Sequence, residues 1–266
     1  MTKSNTKSKS ASKNDLGKVK SPVFFTRMQG IVIFIEENER LILLNMKIIV
    51  SLTSWTKRIN NVVPVLTTIL NQDTKADVIQ LNLSLEEFPN KEADLPKDLV
   101  EMAKNTQLEI EWVEGNDGVF KKIIPTLKKH YGEEYYLLSI DDDFLYRKDY
   151  ITMMIKYLKK YNSDTFCLKN ARVVGNKMIY KSSVFQPDFW EKLTKEVIDC
   201  RIDDSYIEHY LTQKGKKMAF FRPADWADIQ KRYNQIFPNS HNNTTGQYSV
   251  EDIMKAKNAI AKIKFN

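Results

Sequence analysis

The stretch from Tyr135 to Asp143 reads YYLLSIDDD, an apolar run that ends in three consecutive carboxylates. A short apolar run bounded by polar residues is typical of a buried strand. Like charges on neighbouring side chains repel one another and raise each other's pKa, which makes three adjacent acids costly without compensation. The run therefore predicts a cation, most simply a divalent metal ion, among the oxygens of Asp141, Asp142 and Asp143.

Strand and helix patterns alternate on both sides of this segment. Besides the apolar run itself, strands are predicted at 48–53, 78–83, 108–113, 166–174, 177–180 and 218–222, and helices at 59–70, 95–105, 120–130, 148–161, 188–196, 205–214 and 250–263. Alternation of this kind predicts an α/β fold with a mostly parallel, twisted central sheet flanked by helices. Ligands of such sheets gather at the carboxyl ends of the strands, where the three acids fall.

Composition indicates one substantial hydrophobic core. The chain has 266 residues, of which 42% are hydrophobic, so a single large domain is expected. The net charge of +7 is concentrated at the start, because residues 1–20 contain six lysines and one aspartate. The rest of the chain is close to neutral, and we expect no nucleic-acid partner.

The amino-terminal region differs from the remainder. Residues 1–20 are rich in Lys, Ser and Asn and predict a disordered basic tail. Residues 21–45 form an N-terminal extension, and the domain proper is expected at 46–266, with a donor-binding half of about 46–147 and an acceptor half of about 148–266.

The sequence predicts a cytoplasmic protein. The apolar run Ile31–Ile35 is too short for a membrane span or a signal peptide. Cys167 and Cys200 lack metal or redox spacing and are predicted to be reduced thiols. The basic tail suggests peripheral contact with anionic lipid at the inner face of the membrane.

Several interpretations of the acidic run can be weighed. The run could also be a solvated acidic loop or the cap of a helix, and both interpretations remain possible from the sequence. An EF-hand needs acids at alternate positions and a distal Glu, and neither is present. A haloacid-dehalogenase-like phosphatase would use Asp141 as its nucleophile, although Leu145 and the position of the run after a later strand depart from that pattern.

Four blocks in order carry a more extensive resemblance. They are Ile49–Ile59, Gly118–Pro125, Ile140–Asp143 and Asp199–Tyr206. Together they resemble GT-A-fold glycosyltransferases of bacterial capsular and cell-surface polysaccharide gene clusters, over about residues 46–225. The resemblance implies one nucleotide-diphospho-sugar transferase-type domain. Its implied activity is metal-dependent transfer of a sugar from a nucleotide-sugar, most simply a UDP-sugar, to a glycan or lipid-linked acceptor with inversion.

The same resemblance implies a Mn²⁺ or Mg²⁺ site. It assigns Asp143 as a direct ligand, Asp141 to the metal with its waters or to the ribose, and His241 as a third ligand from a C-terminal loop. An ordinary surface histidine is the alternative for His241. Asp142 is expected to point to the other side, because side chains alternate along an extended strand.

On the donor side, the resemblance implies Thr53, Ser54, Trp55 and Arg58 around the nucleotide, although Trp55 could equally be a core residue. Adjacent helical residues diverge by about 100°, so only one of two neighbouring lysines should face the site, and the resemblance favours Lys122. A solvated basic helix face is the alternative.

On the acceptor side, a carboxylate of Asp203 or Asp204 could deprotonate an acceptor hydroxyl, or could merely cap the following helix. The resemblance favours Asp204 as the base, followed by Asp203, and implies that Tyr180 and the stretch 182–185 shape the acceptor side. Two further alternatives remain for the whole protein: the phosphatase, and a non-catalytic module that binds nucleotide or glycan.

Overall fold

The structure is a computed structural model, and it describes residues 46–168, 178–199, 201–221 and 250–265. The described residues all belong to one unit, which spans Asn45–Asn266. The predicted tail, the N-terminal extension, Cys200 and His241 lie outside the described residues.

Strands and helices alternate along the first half of the chain, as the sequence predicts. The strands are β1 (Lys47–Thr53), β2 (Val78–Ser84), β3 (Leu108–Val113), β4 (Tyr135–Ser139), β5 (Thr165–Leu168), β6 (Met178–Lys181) and β7 (Met218–Phe221). The helices are α1 (Val62–Leu70), α2 (Lys97–Asn105), α3 (Ile124–Lys129), α4 (Tyr150–Lys160), α5 (Asp188–Glu191), α6 (Lys195–Asp199), α7 (Asp203–Gln213) and α8 (Val250–Lys262). Short 3₁₀ turns occupy Ile59–Asn61, Lys91–Asp94, Gly118–Lys122 and Ser182–Val184.

The seven strands of the described residues form one sheet in the order β3-β2-β1-β4-β6-β5-β7. Strand β6 runs antiparallel to both of its neighbours, whereas the other paired strands run parallel. A mostly parallel sheet flanked by helices in a single α/β domain confirms the predicted fold class.

The two central strands explain why the sheet is covered on both faces. Residues Ile48–Leu52 of β1 and all of β4 are buried, without the polar alternation of a strand that faces water. Strands buried on both faces are typical of parallel sheets between helical layers. Aromatic rings of the helices that follow β6 pack edge to face, as with Phe189 of α5 and Tyr210 of α7 at 4.9 Å between centroids.

Three predicted helices are interrupted. The stretch 59–70 divides into the 3₁₀ turn Ile59–Asn61 and α1. The stretch 120–130 divides into the 3₁₀ turn Gly118–Lys122 and α3, in which Pro125 occupies the first turn. Proline lacks an amide proton and suits the start of a helix rather than its interior. The stretch 188–196 divides into α5 and α6, where the hydroxyl of Thr194 accepts a hydrogen bond from the amide of Val197 and so begins the second helix.

Within the described part of the chain, no helix combines the length and the apolar character that crossing a membrane would require.

Candidate functional site

The site begins where β1 and β4 end side by side. These strands pair in parallel, with Ser51 opposite Ser139, so the segments that follow them leave the same edge of the sheet. The Ser54 hydroxyl donates a 2.6 Å hydrogen bond to Asp142. A bond between the two loops therefore fixes the middle acid of the triplet.

Arg58 connects the same two loops a second time. Its Nη2 lies 2.9 Å from Asp142 Oδ1, and its Nη1 lies 2.7 Å from Asp143 Oδ2. The backbone amide of Arg58 donates to the carbonyl of Trp55, which holds the turn after β1 closed. One guanidinium thus bridges two carboxylates, which is the geometry that its planar set of donors favours.

Lys122 joins the triplet to α7, which begins at Asp203. Its ammonium lies 3.0 Å from Asp141 Oδ1 and 3.3 Å from Asp203 Oδ2, and only 7% of its side chain is exposed. Asp203 is the first residue of α7, and the residue before it is Ile202, with no side-chain cap bond. Asp203 therefore does not cap α7, because it lies inside the helix and its carboxylate pairs with Lys122.

Burial and neighbouring charges have opposite effects on the pKa values of Lys122 and Asp142. Burial alone would lower the pKa of Lys122, but the carboxylates of Asp141, Asp203 and Asp204 together raise it well above its ordinary value. Burial raises the pKa of Asp142 to about 6, against the opposing effect of the Arg58 guanidinium. The Lys122 side chain is thus held as a cation between acids, whereas burial disfavours the charged form of Asp142.

The two adjacent lysines face different partners. Lys121 donates to Glu87 at 2.5 Å and to the Asn116 side-chain oxygen at 2.8 Å. Lys122 alone of the pair contacts the acidic triplet. Glu87, in the turn after β2, has no signal in the sequence that would mark it, because acids such as Glu86 and Glu87 are common in loops.

The Lys121–Glu87 pair is nearly buried, with 3% and 18% of the two side chains exposed. Removing one partner of such a pair leaves an uncompensated charge, so we expect Glu87→Ala to lower the free energy of unfolding by about 3 kcal/mol. Denaturant unfolding monitored by circular dichroism measures the change. The double variant Glu87→Leu, Lys121→Met should recover most of the loss; equal loss in both variants would contradict this account.

A buried polar network contacts the backbone carbonyl of Lys122. Ser51 donates a 2.6 Å hydrogen bond to the Lys122 carbonyl and lies 2.6 Å from the Thr126 hydroxyl. The Asn82 amide donates to Ser51 at 3.0 Å, and the Gln80 amide donates to Asn82 at 2.7 Å. Ser51, Thr126, Gln80 and Asn82 are fully buried. Because a buried carbonyl is costly without a partner, the bond from the Ser51 hydroxyl fixes the backbone of Lys122.

Tyr146 holds the first acid of the triplet by its backbone. Its hydroxyl accepts from the Asp141 amide at 2.8 Å and lies 3.3 Å from the Asp141 carbonyl, to which it donates. Tyr146 is buried, and burial raises the pKa of its hydroxyl well above the ordinary value. The phenol therefore stays neutral and able to make both bonds.

The residues predicted on the donor side occupy different environments. The Thr53 hydroxyl donates to the Asn82 carbonyl at 2.7 Å, so it links two strands. The Trp55 ring lies 5.1 Å from the Lys57 ammonium, and its indole nitrogen is buried without a hydrogen-bond partner among the described residues. Of Thr53, Ser54, Trp55 and Arg58, the structure brings Ser54 and Arg58 into contact with the acids.

The stretch 182–185, which the resemblance assigns to the acceptor side, lies at the opposite end of β4 from the three acids. The Ser182 hydroxyl accepts from the Tyr135 amide and donates to the Glu133 carbonyl, at the start of β4 rather than at its end. The antiparallel direction of β6 carries the chain away from the acids, so stretch 182–185 does not border the triplet. Tyr180 is buried in the middle of β6, and burial and the nearby charges of Asp204 and Asp203 raise its pKa.

The chemistry of Asp141 and Asp143 suits a hard divalent cation. Among the residues that the structure describes, no three His, Cys, Asp or Glu side chains form a metal-binding group. Two carboxylates are nevertheless an ordinary protein contribution for Mg²⁺, which completes its shell with waters and substrate phosphates. The donor set therefore fits such an ion, with Asp141 and Asp143 as the residues that would hold it; His241 lies outside the described residues.

No protein-family model matches the chain, and no curated protein matches it. The chain is similar to part of residues 1–349 of Staphylococcus aureus TarS, as two of its solved complexes illustrate. The complex with UDP has 12% identity and a TM-score of 0.45, covering 81% of this chain and 71% of that one. The complex with UDP-GlcNAc has 14% identity and a TM-score of 0.45, covering 80% and 79%.

A third solved structure is 4-diphosphocytidyl-2C-methyl-D-erythritol synthase from Anaerococcus prevotii. It has 11% identity and a TM-score of 0.47, covering 73% of this chain and 96% of that chain. Likenesses at this level carry no inference about the activity of the chain.

Proposed function

We propose that this protein is a metal-dependent glycosyltransferase that moves a sugar from a nucleotide-sugar donor to a glycan or lipid-linked acceptor in surface polysaccharide biosynthesis. The observation that carries the proposal is the meeting of Lys122 with Asp141 and Asp203. One buried cation joins an acid at the carboxyl end of β4 to an acid at the start of α7. In the proposal the first of these acids belongs to the donor side and the second to the acceptor side, which a group transfer requires to lie together.

The cations of the chain are suited to a diphosphate. Arg58 offers a planar set of donors that matches phosphate oxygens, and Lys122 offers a compact charge. Asp143 and Asp141 would hold Mn²⁺ or Mg²⁺, which neutralises charge on a departing diphosphate. Thr53, Ser54 and Trp55 complete the proposed donor side at the end of β1. The nucleotide proposed to bind there is UDP.

The start of α7 is suited to activating an acceptor. Asp203 and Asp204 are in its first turn, where the positive end of the helix dipole stabilises a carboxylate. In the proposal Asp204 takes the proton from the acceptor hydroxyl while Asp203 orients Lys122, and attack from that side inverts the sugar. His241 is proposed as a further ligand of the ion. Cytoplasmic location, with peripheral contact of residues 1–20 with the membrane, belongs to the same proposal.

A thermal-shift screen tests the donor class. UDP-, GDP-, CMP- and dTDP-sugars are added with Mn²⁺ and again with EDTA. A nucleotide-sugar at about 100 times its Kd should raise the Tm by about 5–10 °C, because binding to the folded state alone stabilises it. The shift should shrink in EDTA.

Two other outcomes would contradict the proposal. A phosphoenzyme formed on Asp141 without any nucleotide would indicate the phosphatase. Nucleotide diphosphate binding that is indifferent to Mn²⁺, with no hydrolysis of any donor, would indicate a non-catalytic binding module.

A further inference from the structure

Arg58 forms an ion pair with Asp143, one of the two carboxylates proposed to bind the metal ion. Its Nη1 contacts Asp143 Oδ2 at 2.7 Å, and 22% of the Asp143 side chain is exposed, compared with 3% for Asp142. Asp143 is therefore the outer acid of the two, and the one that a ligand from solvent reaches first.

The two ends of the Arg58 bridge are not equivalent. Asp142 is buried and also receives the Ser54 hydroxyl at 2.6 Å, so it is fixed independently of Arg58. If Asp143 were withdrawn, Arg58 would keep its 2.9 Å contact with Asp142 and remain next to the site. Arg58 can thus give up its contact with Asp143 while its ion pair with Asp142 stays intact.

A divalent ion on Asp143 would lie close to a guanidinium of the same sign of charge. Like charges repel more strongly in a place that excludes water than in bulk solvent. The negative oxygens of a diphosphate would relieve that repulsion, because they bind both an arginine and a divalent ion. The ion and the diphosphate are therefore expected to favour each other's binding.

We propose that Arg58 holds Asp143 in the nucleotide-free protein and passes from Asp143 to the diphosphate when the divalent ion binds, so that ion and nucleotide bind cooperatively. This inference rests on the proposed function. It makes Arg58 a positioning residue that suppresses metal binding until a nucleotide is present.

Electron paramagnetic resonance of free Mn²⁺ tests the exchange on the full chain. Binding of Mn²⁺ is titrated with and without saturating UDP, and again with GDP, for the natural protein, Arg58→Gln and Arg58→Lys. Arg147→Gln is the matched control, because that side chain is 40% exposed and pairs with Asp149 instead. Circular dichroism establishes that each variant is folded.

The natural protein should bind Mn²⁺ at least about fivefold more tightly with the nucleoside diphosphate than without it. Arg58→Gln should bind Mn²⁺ alone about fivefold more tightly than the natural protein, and the nucleotide should then add less. Arg147→Gln should behave as the natural protein does. If Arg58→Gln does not fold, Arg58→Lys carries the test: lysine keeps the charge but lacks the planar fork that lets Arg58 hold Asp142 and Asp143 through separate nitrogens, so its Mn²⁺ affinity without nucleotide should also rise.

The failures are distinguishable. Unchanged or weaker Mn²⁺ binding by the folded Arg58 variants without nucleotide, while UDP or GDP still promotes Mn²⁺ binding to the natural protein, overturns the exchange and leaves the proposed function standing. Absence of both Mn²⁺ and nucleotide binding in the folded natural protein overturns the proposed function and the exchange together.

Discussion

Replacing Lys122 with methionine is expected to abolish nucleotide binding and to lower the free energy of unfolding by about 3–5 kcal/mol, because breaking a buried ion pair leaves uncompensated charge. The side chain is 7% exposed and separates Asp141 from Asp203, which would then face each other without a cation between them. Denaturant unfolding and calorimetric titration with UDP and GDP measure the two effects.

Two controls separate charge from folding. Lys128→Met replaces an exposed lysine of α3 and should change neither quantity by much. The triple variant Lys122→Met, Asp141→Asn, Asp203→Asn should regain most of the stability, because the buried carboxylates are gone as well, but should not regain nucleotide binding. Normal nucleotide affinity in Lys122→Met would contradict the role assigned to this residue.

The second large effect concerns the acceptor. Asp204→Asn should lower kcat by about 10²–10⁴-fold, the contribution of a general base, while the nucleotide affinity stays nearly unchanged. Nucleotide release from the donor in the presence of acceptor gives kcat, and calorimetry gives the affinity. Unchanged turnover in Asp204→Asn would remove this residue from the mechanism.

Asp203→Asn provides the contrast, because Asp203 contacts Lys122 at 3.3 Å. Loss of this carboxylate should weaken nucleotide binding as well as turnover, since it alters the cation that would meet the diphosphate. If instead Asp203→Asn lowered kcat alone and Asp204→Asn lowered affinity, the two roles would have to be exchanged.

The parallel part of the sheet follows directly from the sequence. Apolar runs such as Ile48–Leu52 and Tyr135–Ser139 are buried on both faces, and burial of that kind leaves a simple pattern in the residue types. Helix boundaries were harder to predict. Pro125 lies in the first turn of α3 and Thr194 immediately precedes α6, so each marks a new helix inside a stretch predicted to be one. A 3₁₀ turn has no periodicity of its own in the sequence.

The contacts of the candidate site depended on tertiary placement. Helical geometry predicted that only one of two adjacent lysines faces the site, but it could not provide Glu87 as the partner of the other. Alternation along an extended strand predicts that Asp142 points to the other side from Asp141 and Asp143. Asp142 is indeed buried, yet Ser54 and Arg58 tie it to the same cluster, so its replacement should disturb Arg58.

Polar residues that the sequence does not mark as part of the site supply its support. Tyr146 anchors the Asp141 backbone, and Asn82 and Thr126 support Lys122 through Ser51. Such polar residues are ordinary in a sequence, and only their burial in the folded sheet reveals that they act together.

The proposed chemistry is tested most directly by donor turnover. The natural protein and Asp143→Asn are incubated with Mn²⁺ and the nucleotide-sugar selected by thermal shift, and release of free nucleoside diphosphate is followed. We expect slow release by the natural protein that EDTA abolishes, and at least about 100-fold slower release by Asp143→Asn, the scale of losing one electrostatic contact to a transition state. Release at equal rates by both proteins, or release of inorganic phosphate in place of the nucleotide, would contradict the assignment.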